Sequence, residues 1–202
     1  MALQAYHALT RAPQPGGALI FAFHGTGGTE AQMFDLASRL VPGAGIVAPR
    51  GDVSEHGAAR FFRRTGEGVY DMADLARARA KMAAFVTAHR TANPGAPVYG
   101  FGYSNGANIL AAMLLGGPRL FDRAALLHPL IPWSPGPNPA LAGLPVLVTA
   151  GARDPICPLP LTQALVAHLQ AQAAKVTVEL HEGGHELRQC ELHALAQALG
   201  QA

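Results

Sequence analysis

The chain has 202 residues, of which half are apolar and 14% charged, with a formal net charge of +2. That balance excludes a disordered chain, because so apolar a sequence can bury enough surface to offset its chain entropy. The net charge is too small to predict a nucleic-acid partner, and the length predicts a single domain over residues 1–202.

Two cysteines, Cys157 and Cys190, make neither a disulfide framework nor a metal-binding spacing. The N-terminal residues lack a basic stretch followed by a long apolar one, so no signal peptide is read there. No segment approaches the ~18 apolar residues of a membrane span. A cytoplasmic protein with reduced thiols is expected.

Short apolar runs alternate with longer helical patterns, the βαβ signature of an α/β fold with a mostly parallel central sheet flanked by helices on both faces. Residues 3–10 predict an edge strand, and 18–23 (ALIFAF) a buried one that stops at His24-Gly25-Thr26-Gly27-Gly28. Thr29 reads as the N-cap of a helix over 30–40, with Met33, Phe34, Ala37 and Leu40 on one face. A short strand follows at 45–48. Residues 49 to about 70 show neither a helical nor a strand period. The next helix runs from 71 to about 89, with Met72, Leu75, Ala76, Met82, Phe85 and Val86 as its buried face. Strands at 97–101, 124–127, 145–150 and 176–180 then alternate with helices at 105–115, 159–173 and 187–199. Pro132 to Pro139 is an irregular, proline-rich loop. In such sheets ligands bind at the carboxyl ends of the strands, and the polar, glycine-rich clusters lie there.

Gly102-Tyr103-Ser104-Asn105-Gly106 fits G-x-S-x-G between a strand and a helix. A serine hydroxyl is a poor nucleophile and needs a base in contact. A sharp strand-to-helix turn exposes it, and glycines on either side remove Cβ atoms that would collide. The order Ser, acid, His after successive strands then selects Asp154, the only acid between Asp122 and Glu179, and His185 in the loop after the last strand. Two N–H groups are needed for an oxyanion. Asn105 supplies one, and Thr26, with Gly27 as second choice, supplies the other. His181 to His185 also reads H-E-x-x-H, a zinc-protease string. Its Gly183-Gly184 interior disfavours the helix that zinc ligation needs, so no metal and no cofactor is expected. Phosphate binding at the glycine loop is disfavoured because no lysine follows and the G-x-G-x-x-G spacing is absent.

The stretch from Arg50 to Tyr70 leaves the sheet at the same edge and predicts one wall of a substrate pocket. Phe61 and Phe62 would meet an acyl or aromatic group. Arg63, beside Arg60 and Arg64, would hold a substrate carboxylate or a loop acid such as Asp52, Glu55 or Asp71.

The segments HGTGG, PRGDVSEHGAARFFRR, GYSNGANI, LHPLIP, GARDPI and EGGHEL together resemble the small bacterial carboxylesterase and phospholipase-like α/β-hydrolases. Within them they most resemble the hydroquinone-associated hydrolase branch, relatives of dienelactone hydrolases and acyl-protein thioesterases. The resemblance spans about residues 18–199. It implies a triad of Ser104, Asp154 and His185, an oxyanion donor at Thr26, and metal-free esterase activity. Dienelactone hydrolases proper carry a cysteine nucleophile, so the serine here makes ester cleavage a stronger expectation than lactone cleavage. The expected partner is a small-molecule ester; neither nucleic acid nor a membrane span is expected, and a homodimer is allowed. A thioesterase or lysophospholipase on the same triad, or a non-catalytic binding module, stays open.

Overall fold

The computed structural model describes residues 2–200. In chain order the elements are β1 (Ala8–Arg11), β2 (Leu19–Phe23), α1 (Glu30–Leu40), β3 (Gly45–Pro49), β4 (Val53–Glu55), β5 (Ala58–Arg60), β6 (Arg64–Gly66), β7 (Val69–Tyr70) and α2 (Met72–Ala92). Then come β8 (Val98–Tyr103), α3 (Asn105–Gly116), β9 (Arg123–Leu127), β10 (Pro145–Gly151), α4 (Leu159–Ala171), β11 (Lys175–His181) and α5 (Gln189–Gly200).

Seven strands form one sheet in the order β1-β3-β2-β8-β9-β10-β11. Only β1 runs antiparallel to its neighbour, pairing Ala8 with Pro49 and Arg11 with Ile46. Strands β2 (LIFAF) and β3 (GIVAP) are buried along their whole length. That is the pattern of strands covered on both faces. One face carries Phe21, Phe23, Val47 and Val148 under α2, α3 and α4; the other carries Ile20, Ala22, Ile46 and Leu147 under α1 and α5. Helix α3 is apolar almost all round, with every residue from Asn105 to Leu115 buried, which suits a helix packed into the centre.

Helix α1 starts where the sequence says it should. Thr29 Oγ1 accepts the Gln32 N–H at 3.2 Å and the Gln32 side chain accepts the Thr29 N–H at 3.0 Å, a reciprocal capping box.

Three expectations need correction. Residues 2–4 form a 3-10 turn, and the edge strand begins only at Ala8. Met72 and Ala76 lie on the exposed side of α2; Asp74 and Ala78 take buried places instead. The stretch from 49 to 70 is ordered as two small hairpins, β4–β5 and β6–β7. Strands of two or three residues are too short to show a period. Among the described residues no helix is long and apolar enough to cross a membrane.

Candidate active site

Ser104 sits in the turn between β8 and α3 with φ of 52° and ψ of −115°, a sparsely populated conformation for a residue with a side chain. The packing around it explains both flanking glycines. A Cβ on Gly106 would lie 2.2 Å from the Phe23 carbonyl oxygen, and one on Gly102 would lie 2.4 Å from the Gly106 backbone. Only bare backbone lets α3 come this close to β2 and reverse the chain this sharply.

His185 Nε2 lies 2.9 Å from Ser104 Oγ, and His185 Nδ1 lies 2.7 Å from Asp154 Oδ2. The carboxylate can only accept, so Nδ1 carries the proton and Nε2 is free to take one from the serine. The loop after β10 fixes Asp154 through its other oxygen, which accepts the N–H groups of Ile156 (2.8 Å) and Cys157 (2.9 Å). Burial pushes the Asp154 pKa up, but these two amides and the histidines His185 and His128 outweigh it, and the carboxyl is held below its ordinary value. The hydroxyl of Tyr103 donates to the His185 carbonyl and so anchors the histidine loop.

Thr26 and Asn105 both border the cleft beside Ser104. Gly27, the second choice of donor, is excluded because its N–H is spent on the Ala59 carbonyl at 3.0 Å. The loop that carries Thr26 is tied down by His24. Its Nδ1 donates to the Gly25 carbonyl at 2.7 Å and its Nε2 accepts the Gly51 N–H at 2.9 Å. Burial depresses its pKa, in keeping with a neutral imidazole.

Phe61, Phe62 and Arg63 are not among the residues that line this cleft. Both phenylalanines are fully buried. Phe61 packs against Phe23 and His24, and Phe62 against Tyr70. Aromatic side chains in an irregular stretch are as readily core as pocket, and here the hairpins wrap around them. Arg63 is 62% exposed and pairs with Asp74 (3.1 Å) and Asp71 (3.6 Å). Its neighbours face the cleft instead. Arg60, nearly buried, donates to Thr26 Oγ1 at 2.6 Å, and Glu55 pairs with both Arg60 (3.2 Å) and Arg64 (2.9 Å).

The cleft above Ser104 has a volume of about 290 Å³. Behind it a ring of hydrogen bonds joins three elements. Asn108 donates to the Tyr70 hydroxyl (2.7 Å), Tyr70 to the Leu130 carbonyl (2.8 Å), and the Leu130 N–H to Asn108 Oδ1 (2.7 Å).

Sequence reasoning missed His128, which lies 2.8 Å from the oxygen of Asp154 that also receives His185. It also missed Glu191, fully buried on α5 and 3.0 Å from His128. The available signal was the spacing Glu191, Leu195, Leu199, which puts an acid on an apolar helical face. His128, His181 and Glu191 bring ligand-type atoms within 4.8 Å of one another. However, His181 Nδ1 accepts the Gly183 N–H at 3.0 Å, so its proton is on Nε2, which faces Glu191 at 3.1 Å and has no lone pair for a metal. The two histidines of the H-E-x-x-H string thus face different carboxylates.

A model of the dienelactone hydrolase family matches residues 3–188. MhqD of Bacillus subtilis (strain 168) is 36% identical over 175 residues, covering 86% of this chain and 88% of MhqD. Among solved structures, Atu2452 of Agrobacterium tumefaciens str. C58, described as of unknown function, is 53% identical with a TM-score of 0.92 over 99% of this chain and 98% of that one. A Bacillus cereus carboxylesterase is 30% identical with a TM-score of 0.90, over 96% of this chain and 93% of that one.

Proposed function

The chain belongs to the dienelactone hydrolase family and is an α/β-hydrolase, and we propose that it cleaves small carboxylic esters through a serine acyl-enzyme. One observation carries this reading: the unbroken series Ser104 Oγ, His185 Nε2, His185 Nδ1, Asp154 Oδ2, with gaps of 2.9 and 2.7 Å.

In the proposed reaction Ser104 Oγ attacks the ester carbonyl as its proton passes to His185 Nε2. The carbonyl oxygen becomes an oxyanion facing the backbone N–H groups of Asn105 and Thr26, where fixed dipoles need no reorganisation. Asp154 stays ionised and stabilises the imidazolium. Collapse of the intermediate breaks the C–O bond, and the alcohol leaves with the proton from Nε2. Water then repeats the sequence on the acyl-serine, with His185 again as base, and frees the acid and Ser104.

Two observations favour serine over the chain's nearby thiol. Burial, with Asp154 beside it, pushes the Cys157 pKa well above its ordinary value. Its Sγ lies 3.2 Å from the His128 carbonyl rather than against His185. A cleft of about 290 Å³ lies near the lower end of ligand-pocket sizes. That favours small esters over the long acyl chains of a thioesterase or lysophospholipase substrate.

The test is turnover of p-nitrophenyl esters of graded chain length by wild type, Ser104→Ala and His185→Ala. Both variants should stay folded and lose on the order of 10⁴- to 10⁶-fold in kcat. Asp154→Asn should lose less. Normal turnover by Ser104→Ala would sink the reading.

A further inference from the structure

His128 is buried at the carboxyl end of β9, and its backbone is held at φ of 51°. Its Nδ1 lies 2.8 Å from Asp154 Oδ2 and its Nε2 lies 3.0 Å from Glu191 Oε1. We propose that His128 is a positioning residue for the triad, a buried imidazolium between Asp154 and Glu191 that clamps the triad carboxylate and places a positive charge beside His185. The inference rests on the ester-hydrolase reading above and extends it.

The proton inventory leads to the cation. Asp154 takes four donors, Ile156 and Cys157 N–H on Oδ1 and both histidines on Oδ2. A carboxylate saturated in this way is ionised. Glu191 is arranged similarly. Oε1 accepts the Thr149 hydroxyl and faces His128, while Oε2 accepts the Arg188 N–H at 2.8 Å and faces His181. Burial opposes its ionisation, but His128, Thr149 and the Arg188 amide override it and the pKa falls. Both ring nitrogens face an ionised carboxylate, so a proton on each answers the two charges, although the Nε2–H is not aligned for a hydrogen bond with Glu191. For His128 too, burial alone would lower the pKa, yet Glu191 and Asp154 reverse the direction and raise it.

Among the described residues no other group facing the ring supplies a competing charge. His181, with centroids 5.5 Å apart, is neutral by the proton placement above. Tyr103, at 5.8 Å, has its pKa pushed up to about 12, first by burial and then by Asp154. Cys157 is held as the thiol. His185 is the remaining neighbour, with ring centroids 5.1 Å apart. Two effects follow from a cation there. It repels the proton that His185 must accept, and it shares the Asp154 charge that would otherwise serve His185 alone. Meanwhile Asp154 cannot swing away, because its Oδ2 is held from two directions.

Removing the charge while keeping the donor separates tuning from packing. In His128→Asn the amide can still donate to Asp154, and pairing it with Glu191→Gln avoids an unpaired buried carboxylate. The double variant should move the acidic limb of kcat/KM against pH upward by about one pH unit. His128→Leu with Glu191→Gln loses the clamp as well and should also lose on the order of tenfold in plateau kcat. A folded Asn variant whose limb coincides with wild type overturns the proposal. A second measurement needs neither variant folding nor turnover. In ¹⁵N-labelled wild type both ring nitrogens of His128 should show imidazolium shifts at about pH 7, above the ordinary histidine midpoint of about 6.5. A neutral tautomer there overturns the proposal even if the esterase reading stands, whereas failure of the esterase reading leaves this measurement intact.

Discussion

The backbone N–H of Phe61 donates to Asn105 Oδ1 at 2.8 Å, so the hairpin stretch is fastened directly to the residue that follows Ser104. The same Asn105 opens α3 and borders the cleft. Its side chain holds the wall, and its backbone N–H is the proposed oxyanion donor.

Asn105→Ala should therefore harm two properties together. It leaves the buried Phe61 N–H without an acceptor, a loss of about 1–3 kcal/mol. For a chain of this length that lowers Tm by about 2–4 °C per kcal/mol. Turnover should fall as well, because Thr26 and its donor ride on the wall that Asn105 holds. Thermal melts and kcat on one ester check both. A variant with wild-type Tm would show that the bond carries no weight.

Phe62→Ala should behave as a core mutation. The side chain is fully buried and does not line the cleft, so truncation should cost about 3–5 kcal/mol and leave KM near wild type in whatever fraction stays folded. Arg63→Ala removes the pairs of an exposed guanidinium with Asp71 and with the buried Asp74; Asp74 keeps Arg77 and the residue-63 backbone N–H, so the loss should be about 1 kcal/mol, and acidic and neutral esters should be affected equally. A strong KM change with an unaltered melt would return Phe62 to the substrate.

The elbow makes a sharper prediction. Gly106→Ala places a Cβ 2.2 Å from the Phe23 carbonyl oxygen, a rigid backbone atom. Either α3 or β2 must shift, at a cost of about 1–3 kcal/mol. A displacement of Ser104 by about 1 Å should slow fluorophosphonate labelling on the order of a hundredfold. Labelling at the wild-type rate would mean that the turn tolerates a side chain.

The main sheet was legible because its central strands are apolar runs closed by turn signals while its edge strand β11 (KVTVELH) alternates, and the candidate triad because each member follows one of these strands. The hairpins were not legible. Val53–Glu55 pairs with Ala58–Arg60 and Arg64–Gly66 with Val69–Tyr70, and segments that short carry no alternation to read. Phe61 and Phe62 were placed on the cleft side because a loop sequence does not say which way it folds over its own aromatics. His128 was hidden for a different reason. Its role depends on Asp154 and Glu191, 26 and 63 positions away in the sequence numbering, and only the sheet order brings the three together.

The buried charges also predict how stability varies with pH. His128 has a raised pKa: burial lowers it, but Glu191 and Asp154 outweigh burial. Such a group contributes stability that is fully present below its unfolded value of about 6.5 and is lost as pH rises through the folded value. Asp154 and Glu191 have depressed pKa values; in both, burial raises the value and hydrogen bonds override it. Their contribution is present above their unfolded values of about 4 and is lost as pH falls through the folded ones. Wild type should thus keep its Tm through the weakly acidic range and lose stability on both sides. The alkaline loss should begin above about pH 6.5 and belong to His128. Melts of wild type and of the His128→Asn, Glu191→Gln double variant across pH would separate the contributions. The variant's alkaline decline should be shallower, since it has no cation to discharge. If wild-type Tm instead climbs steadily from about pH 7 to pH 9, His128 does not carry the charge that its two carboxylates call for.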